Sequence, residues 1–152
     1  MDPVLLRALA VGGLVVLVLL VGWVWRRRDG RLRHSDAVGH QQRTARLHGD
    51  HLAAVGLDLT DAEAGAVLLG SPTCAPCDTV KQVLGDLAQE RDRFRWVYAD
   101  AGEHLHIAEE HRVLRVPTLF VVAPDGRIVA RTSGVPRHDD LRRVLEDLGT
   151  AA

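Results

Sequence analysis

The sequence predicts an α/β domain, a mixed central sheet with helices on both faces, preceded by one N-terminal transmembrane helix. Three observations predict it. Residues 43–112 alternate short apolar runs with helix-periodic stretches, the pattern of parallel β-α-β units. Residues 118–123 and 127–132 are apolar runs flanking Pro124-Asp125-Gly126, a turn signal that makes them a hairpin. Residues 8–25 are uncharged and almost wholly apolar, long enough for a transmembrane candidate.

Composition bounds the rest. At 152 residues the chain holds one domain plus something smaller. Its 19 basic and 20 acidic residues nearly cancel, which gives no general case for binding nucleic acid. Lys81 is the sole lysine, and the arginine bias carries no chemistry by itself. Two cysteines are too few for a disulfide scaffold, and no internal repeat is visible.

Residues 4–25 are expected to form a transmembrane anchor, interrupted only by Arg7. Trp23 and Trp25 stand at the far end, where amphipathic rings favour the headgroup level. A cleaved signal peptide would carry its charge before the run and a small-x-small site after it. Here Trp-Val-Trp-Arg follows, and the charge lies mostly beyond it, in Arg26, Arg27, Arg28, Arg31 and Arg33. Residues 26–42 read as a basic juxtamembrane linker, a topology signal or a contact for anionic headgroups. His34, His40 and His48 are scattered in and beyond it and read as composition. Because the arginine-rich flank stays in the cytoplasm, the expectation is a single-pass protein with a cytoplasmic soluble domain.

The globular part, residues 43–150, is taken in order. Residues 43–47 are a short first strand. Asp50 is an N-cap candidate for a short helix through Leu52, Ala53 and Val55, closed by Gly56. Thr60 and Glu63 match a capping box or shape a turn. Residues 65–70 are an apolar strand. A helix reaching about residue 91 follows, with Val80, Val83, Leu84 and Leu87 on one face. Residues 94–99, aromatic and β-branched, are a strand; residues 103–112 are a short helix. After the hairpin, Leu141, Val144, Leu145 and Leu148 mark a closing helix.

Between the 65–70 strand and its helix stands Ser71-Pro72-Thr73-Cys74-Ala75-Pro76-Cys77. A Cys-x-x-Cys that ends a strand and opens a helix reads as a thiol–disulfide redox site. Unpaired N–H groups and the macrodipole at the helix start favour the Cys74 thiolate. Cys77, one turn on, reaches back to it. Pro76 has a φ suited to the first turn and no N–H to leave unpaired.

From residue 43 onward the chain resembles the thioredoxin family. The resemblance rests on Cys74-Ala75-Pro76-Cys77 after a strand, Val116-Pro117-Thr118 before another, and Asp125-Gly126 followed by Gly134 before the last helix. It implies a thioredoxin-like fold and a cis Pro117 facing the cysteines. It implies that Thr73, Ala75, Pro76 and Val116 contact the substrate, Val116 through its backbone. The implied activity is thiol–disulfide oxidoreduction, with Cys74 as nucleophile and Cys77 as resolving thiol. No cofactor is implied beyond the redox-active disulfide. The expected partners are protein dithiol or disulfide substrates, an upstream thiol donor, and the membrane through residues 4–25, with no nucleic acid. Many anchored relatives work outside the membrane, so an extracytoplasmic domain is the alternative placement.

The departures from the family shape the reading. Thr73 replaces a tryptophan, Ala75 a glycine, and Leu68 a buried aspartate that assists proton transfer; Trp96 aligns roughly with that aspartate's lysine partner. A specialised membrane-tethered reductant is the expectation. Two alternatives stay open. One is a non-catalytic module that grips a partner peptide. The other is a copper or zinc protein in which His104, His106 and His111 join the cysteines.

Overall fold

The structure, a computed structural model, describes residues 3–28, 33–34 and 45–150. Its elements are α1 (Pro3–Arg28), β1 (Arg33–His34), α2 (Gly49–Val55), β2 (Ala64–Gly70), α3 (Ala75–Glu90), β3 (Phe94–Asp100), α4 (Leu105–Glu110), β4 (Thr118–Val122), β5 (Ile128–Ser133) and α5 (His138–Thr150). The strands form one five-stranded sheet in the order β1-β5-β4-β2-β3.

Period-2 alternation divides the core between the two faces of this sheet. Ala66 and Leu68 of β2, Phe94 of β3, and Leu119 and Val121 of β4 face one way. They pack on Val80, Leu84 and Leu87 of α3 and on Leu141, Val144 and Leu145 of α5. Val67, Leu69, Phe120 and Val122 face the other way, against Ile107 of α4, partly buried Leu52 and Val55 of α2, and Leu47, Leu57 and Leu59. Strands β2 and β4 are buried along their whole length, which is why both read as unbroken apolar runs.

Pairing departs from expectation at the amino-terminal side. The β-α-β alternation implied parallel pairing throughout the first half, yet only β2 and β3 are parallel. Of the predicted first strand at 43–47, the described residues 45–47 form a bridge between Arg46 and Arg127, antiparallel. Arg43 and Thr44 lie outside the described residues, as do residues 29–32 and 35–42 of the linker. Within the linker, Arg33 and His34 pair antiparallel with Arg131 and Ala130. The reason is edge satisfaction. β5 has a free edge of N–H and C=O groups, and short extended segments from before the domain use it. Leu47 N–H donates to Gly126 O (2.9 Å) and Ile128 N–H to Ala45 O (3.0 Å) on that edge.

Helix ends differ by small amounts. The N-cap of α2 is His48, not Asp50, and no side chain caps it. Tying Leu47 to Gly126 starts the helix two residues early, so Asp50 lies in its first turn and accepts from His51 N–H (3.0 Å). Gly56 does close α2, in the left-handed region at φ 76°. Thr60 caps no helix. Its N–H and hydroxyl both donate to Asp58 Oδ1 (2.9 and 2.6 Å), an Asx turn, while Glu63 pairs with Arg93. α4 spans fewer residues than the expected 103–112, with His104 and His111 as its caps.

The backbone of α1 is one 26-residue helix. Val11, Leu14–Val21 and Trp23 are exposed large hydrophobics on it. Among the described residues no helix is long and apolar enough to cross a membrane.

Candidate redox site

Cys74 and Cys77 form a disulfide with Cα atoms 5.4 Å apart. Local backbone brings them together. Cys74 N–H donates to Ser71 O (3.1 Å), closing a turn after β2, and Cys74 O accepts from Cys77 N–H (2.9 Å) as the first turn of α3. Pro76 stands in that turn, where a missing N–H costs nothing.

The two sulfurs have unequal surroundings, and the helix period decides it. Cys77 falls on the stripe of Val80, Leu84 and Leu87, so it is 1% exposed. Cys74 precedes the helix as its N-cap and is half-buried, beside exposed Thr73, Ala75 and Pro76. The more accessible sulfur is thus also the one at the N-terminal end, where the helix favours an anion.

Sheet register carries the second motif to the same end of the domain. Thr118 pairs with Leu69 in the antiparallel β2–β4 ladder, so Val116 and Pro117 reach the end of the sheet from which Ser71–Cys74 departs. The Val116–Pro117 bond is cis, as the resemblance implies. Pro117 is buried and Val116 half-buried. Pro117 O accepts from Gly134 N–H (2.8 Å), and Gly134 takes φ 99°. The buried Thr118 hydroxyl donates to Arg115 O (2.7 Å), bracing the turn into the proline.

Three residues not singled out for the site from sequence shape its floor. Gly70 ends β2 so close to its neighbours that a Cβ there would lie 2.5 Å from Tyr98 Cε2 and 3.0 Å from Cys77 Sγ. Tyr98 therefore lies beside the buried cysteine. In the β2–β3 register Tyr98 is the partner of Leu68, whereas Trp96 pairs with Ala66. The approximate alignment of Trp96 with the family's lysine thus puts it one pleat away. Lys81 Nζ sits 4.3 Å from the Tyr98 ring centroid and 3.1 Å from Asp78 Oδ1. Burial, reinforced by the Asp100 charge, pushes the Tyr98 phenol pKa above its usual value and keeps it protonated. Period-2 alternation could have placed Tyr98 on the α3 face; the approach of Gly70 had no signal in sequence.

Leu68 is fully buried between Tyr98 and Leu119 in register, so a carboxylate has no counterpart there. Leu114 was also not anticipated. It is 94% exposed, three residues before Pro117, and is the most exposed large hydrophobic side chain among the described residues.

Among the described residues the cysteines join no group of histidines with metal-ligand spacing. Among the described residues the grouping with metal-ligand spacing is His48, His51 and Glu110, without a cysteine.

By sequence the chain matches no protein-family model and no curated protein. Solved structures match its fold. A mutant thioredoxin from Halobacterium salinarum is 25% identical at a TM-score of 0.56, covering 67% of this chain and 86% of that one. Chloroplastic thioredoxin z is 22% identical at 0.55, covering 67% and 90%. Mitochondrial thioredoxin 3 from Saccharomyces cerevisiae is 24% identical at 0.50, covering 59% and 82%. The fold is thioredoxin-like, and a Cys-x-x-Cys disulfide after its buried strand β2 is a site for thiol–disulfide exchange.

Proposed function

We propose that this protein, a thioredoxin-like domain bearing the Cys74–Cys77 pair, is a membrane-tethered thiol–disulfide oxidoreductase that works as a reductant on protein disulfides. The unequal burial of the two sulfurs carries the reading. Cys74 thiolate attacks one sulfur of a substrate disulfide. The substrate S–S bond breaks, a mixed disulfide forms, and the leaving substrate thiolate takes a proton. Cys77, deprotonated in turn, attacks Cys74 Sγ and releases the second substrate thiol. An upstream thiol donor then returns two electrons and two protons to the Cys74–Cys77 disulfide. Ala-Pro between the cysteines, close to the Gly-Pro of reducing relatives, supports the reductant direction.

Substrate would lie across Thr73, Ala75, Pro76 and the Val116 backbone, with Pro117 alongside. Exposed Leu114 supplies apolar contact near a rim that has Thr73 in place of an aromatic. α1 would supply the tether. Its support is the apolar run 8–25 with tryptophans at the end and arginines after it. The arginine excess supports a cytoplasmic domain. In this reading residues 4–25 are the anchor, 26–42 the linker and 43–150 the redox domain.

Replacing Cys77 by Ser tests the roles. Cys77→Ser is expected to accumulate a mixed disulfide with substrate protein, and Cys74→Ser is not. Faster alkylation of Cys77 than Cys74 in the reduced protein at neutral pH would reverse the assignment. A reduction potential near −270 mV supports the reductant direction, and one near −120 mV would make the protein an oxidant.

A further inference from the structure

Between α2 and α4, on the sheet face opposite α3, four imidazoles crowd together. His51 is their centre. Its ring centroid lies 5.5 Å from His48, 5.5 Å from His106 and 5.8 Å from His111. Glu110 closes the group, with Oε1 3.7 Å from His48 Nδ1 and Oε2 3.4 Å from His51 Nε2. One ligand atom from each of His48, His51 and Glu110 lies within 4.8 Å of the others.

A structural packing role for these rings fits poorly. The His51 side chain is only 8% exposed, yet its Nδ1 has no hydrogen-bond partner. The His111 Nε2 is likewise buried without one. Leaving such an atom unpaired forfeits the hydrogen bond it had with water and gains none in return. Plain core histidines are held by hydrogen bonds to backbone or side chains. Here the Nε2 of the buried ring faces the Glu110 carboxylate, and three other imidazoles stand around the ring.

We propose that His48, His51 and Glu110 form a divalent transition-metal site, with zinc as its ion. Neutral imidazole and carboxylate oxygen suit zinc. Zinc–nitrogen bonds of roughly 2.0–2.1 Å in a tetrahedron set ligand edges near about 3.3 Å. One ligand atom from each residue already lies within 4.8 Å of the other two, so the three must draw in toward that edge to hold the ion. His48 and Glu110 are partly exposed, at 66% and 49%, so an ion has an entry path. The ligands come from two elements, His48 and His51 at the start of α2 and Glu110 at the end of α4, so the ion clamps one helix to the other. Around that end the frame is already firm. Arg131 donates through Nη1 to His111 O (2.7 Å) and through Nη2 to Arg112 O (2.9 Å), fixing the cap of α4 and the residue after it.

This site is independent of the redox reading, because no cysteine belongs to it. The test uses the oxidised full chain in detergent, stripped with a chelator, so that both cysteines are held as a disulfide. Zinc is titrated against a chromophoric competitor, and thermal unfolding is followed with and without zinc. Expected are one zinc per chain and a raised melting temperature. Glu110→Gln and His48→Ala, both at exposed positions, are each expected to weaken binding by more than about 100-fold, beyond the usual loss when only a residue hydrogen-bonded to a ligand is changed. They should also abolish the zinc-dependent thermal shift while the metal-free melt stays as in the parent. A Cys74→Ser, Cys77→Ser chain should bind zinc as the parent does. Absence of stoichiometric zinc, full affinity in both ligand variants, or loss of zinc only with the cysteines would each overturn the proposal.

Discussion

Gly70 shows how little room the disulfide leaves beneath it. Adding one carbon there would push on the Tyr98 ring at 2.5 Å and on Cys77 Sγ at 3.0 Å, and an aromatic ring wedged in a sheet cannot yield cheaply. Gly70→Ala is therefore expected to cost about 1–3 kcal/mol of stability, the usual penalty of overpacking. Because the strain falls on Cys77, it should also shift the equilibrium between the Cys74–Cys77 disulfide and glutathione, read by thiol trapping across a redox-buffer series. An unchanged equilibrium would mean the neighbours relax away from the sulfur. Leu68 poses the complementary case. Leu68→Asp would bury a carboxylate at a position fully closed to solvent, flanked by Tyr98 and Leu119. Its carboxyl pKa should be strongly raised, and stability should drop several kcal/mol at neutral pH. Chemical denaturation at pH 7 and at pH 5 checks this. The loss should be smaller at pH 5, where the carboxyl is more easily neutral.

The β4–β5 hairpin is the element that organises the β5 edge. Gly126 takes φ 80°, and a Cβ there would meet Leu47 O at 2.6 Å. Gly126→Ala combines a left-handed backbone with a backbone clash, so a loss of about 1–3 kcal/mol is expected in denaturant unfolding. Asp125, beside it, has its carboxyl pKa held below the usual value. The largest cause is the Arg127 N–H donated to Oδ1 (3.0 Å), helped by the Arg46 guanidinium on Oδ2 (2.7 Å). The sign follows from linkage. The stabilisation is fully present above about pH 4, where the unfolded carboxyl is ionised, and is lost as the pH falls through the lower folded value. Asp125→Asn should therefore destabilise the protein at pH 7 and cease to differ from the parent at strongly acid pH. A constant difference across an acid series would contradict this. Half of the Asp125 side chain is exposed, so the effect is a small one.

At the scale of the whole molecule, the arrangement separates two chemistries. The redox pair opens α3, whose stripe packs on one face of the sheet, while the histidine cluster lies among the helices of the other face. α1 stands apart in composition, uncharged from Ala8 to Trp25. If the redox domain lies in the cytoplasm, as proposed, a membrane-impermeant thiol reagent applied to intact cells after mild reduction should leave Cys74 unlabelled, and lysis should expose it. Labelling without lysis would place the domain on the other side of the membrane.

The amino-acid order by itself determined the elements and the reactive pair. Apolar runs named β2 and β4, the 3.6-residue stripe named α3 and α5, and the Cys-x-x-Cys spacing put both sulfurs on one helical turn. Those signals are local, and locality is why they can be read. Pairing across the chain is not local. Neither the antiparallel capture of Arg33-His34 by β5 nor the lone bridge of Arg46 to Arg127 had a periodic signature, since any extended segment can pair along a sheet edge. Register likewise put Tyr98, not Trp96, opposite Leu68. Only the tertiary structure brought His48 and His51 to Glu110, across some 60 residues of chain, because the packing of α2 and α4 on one sheet face sets that distance.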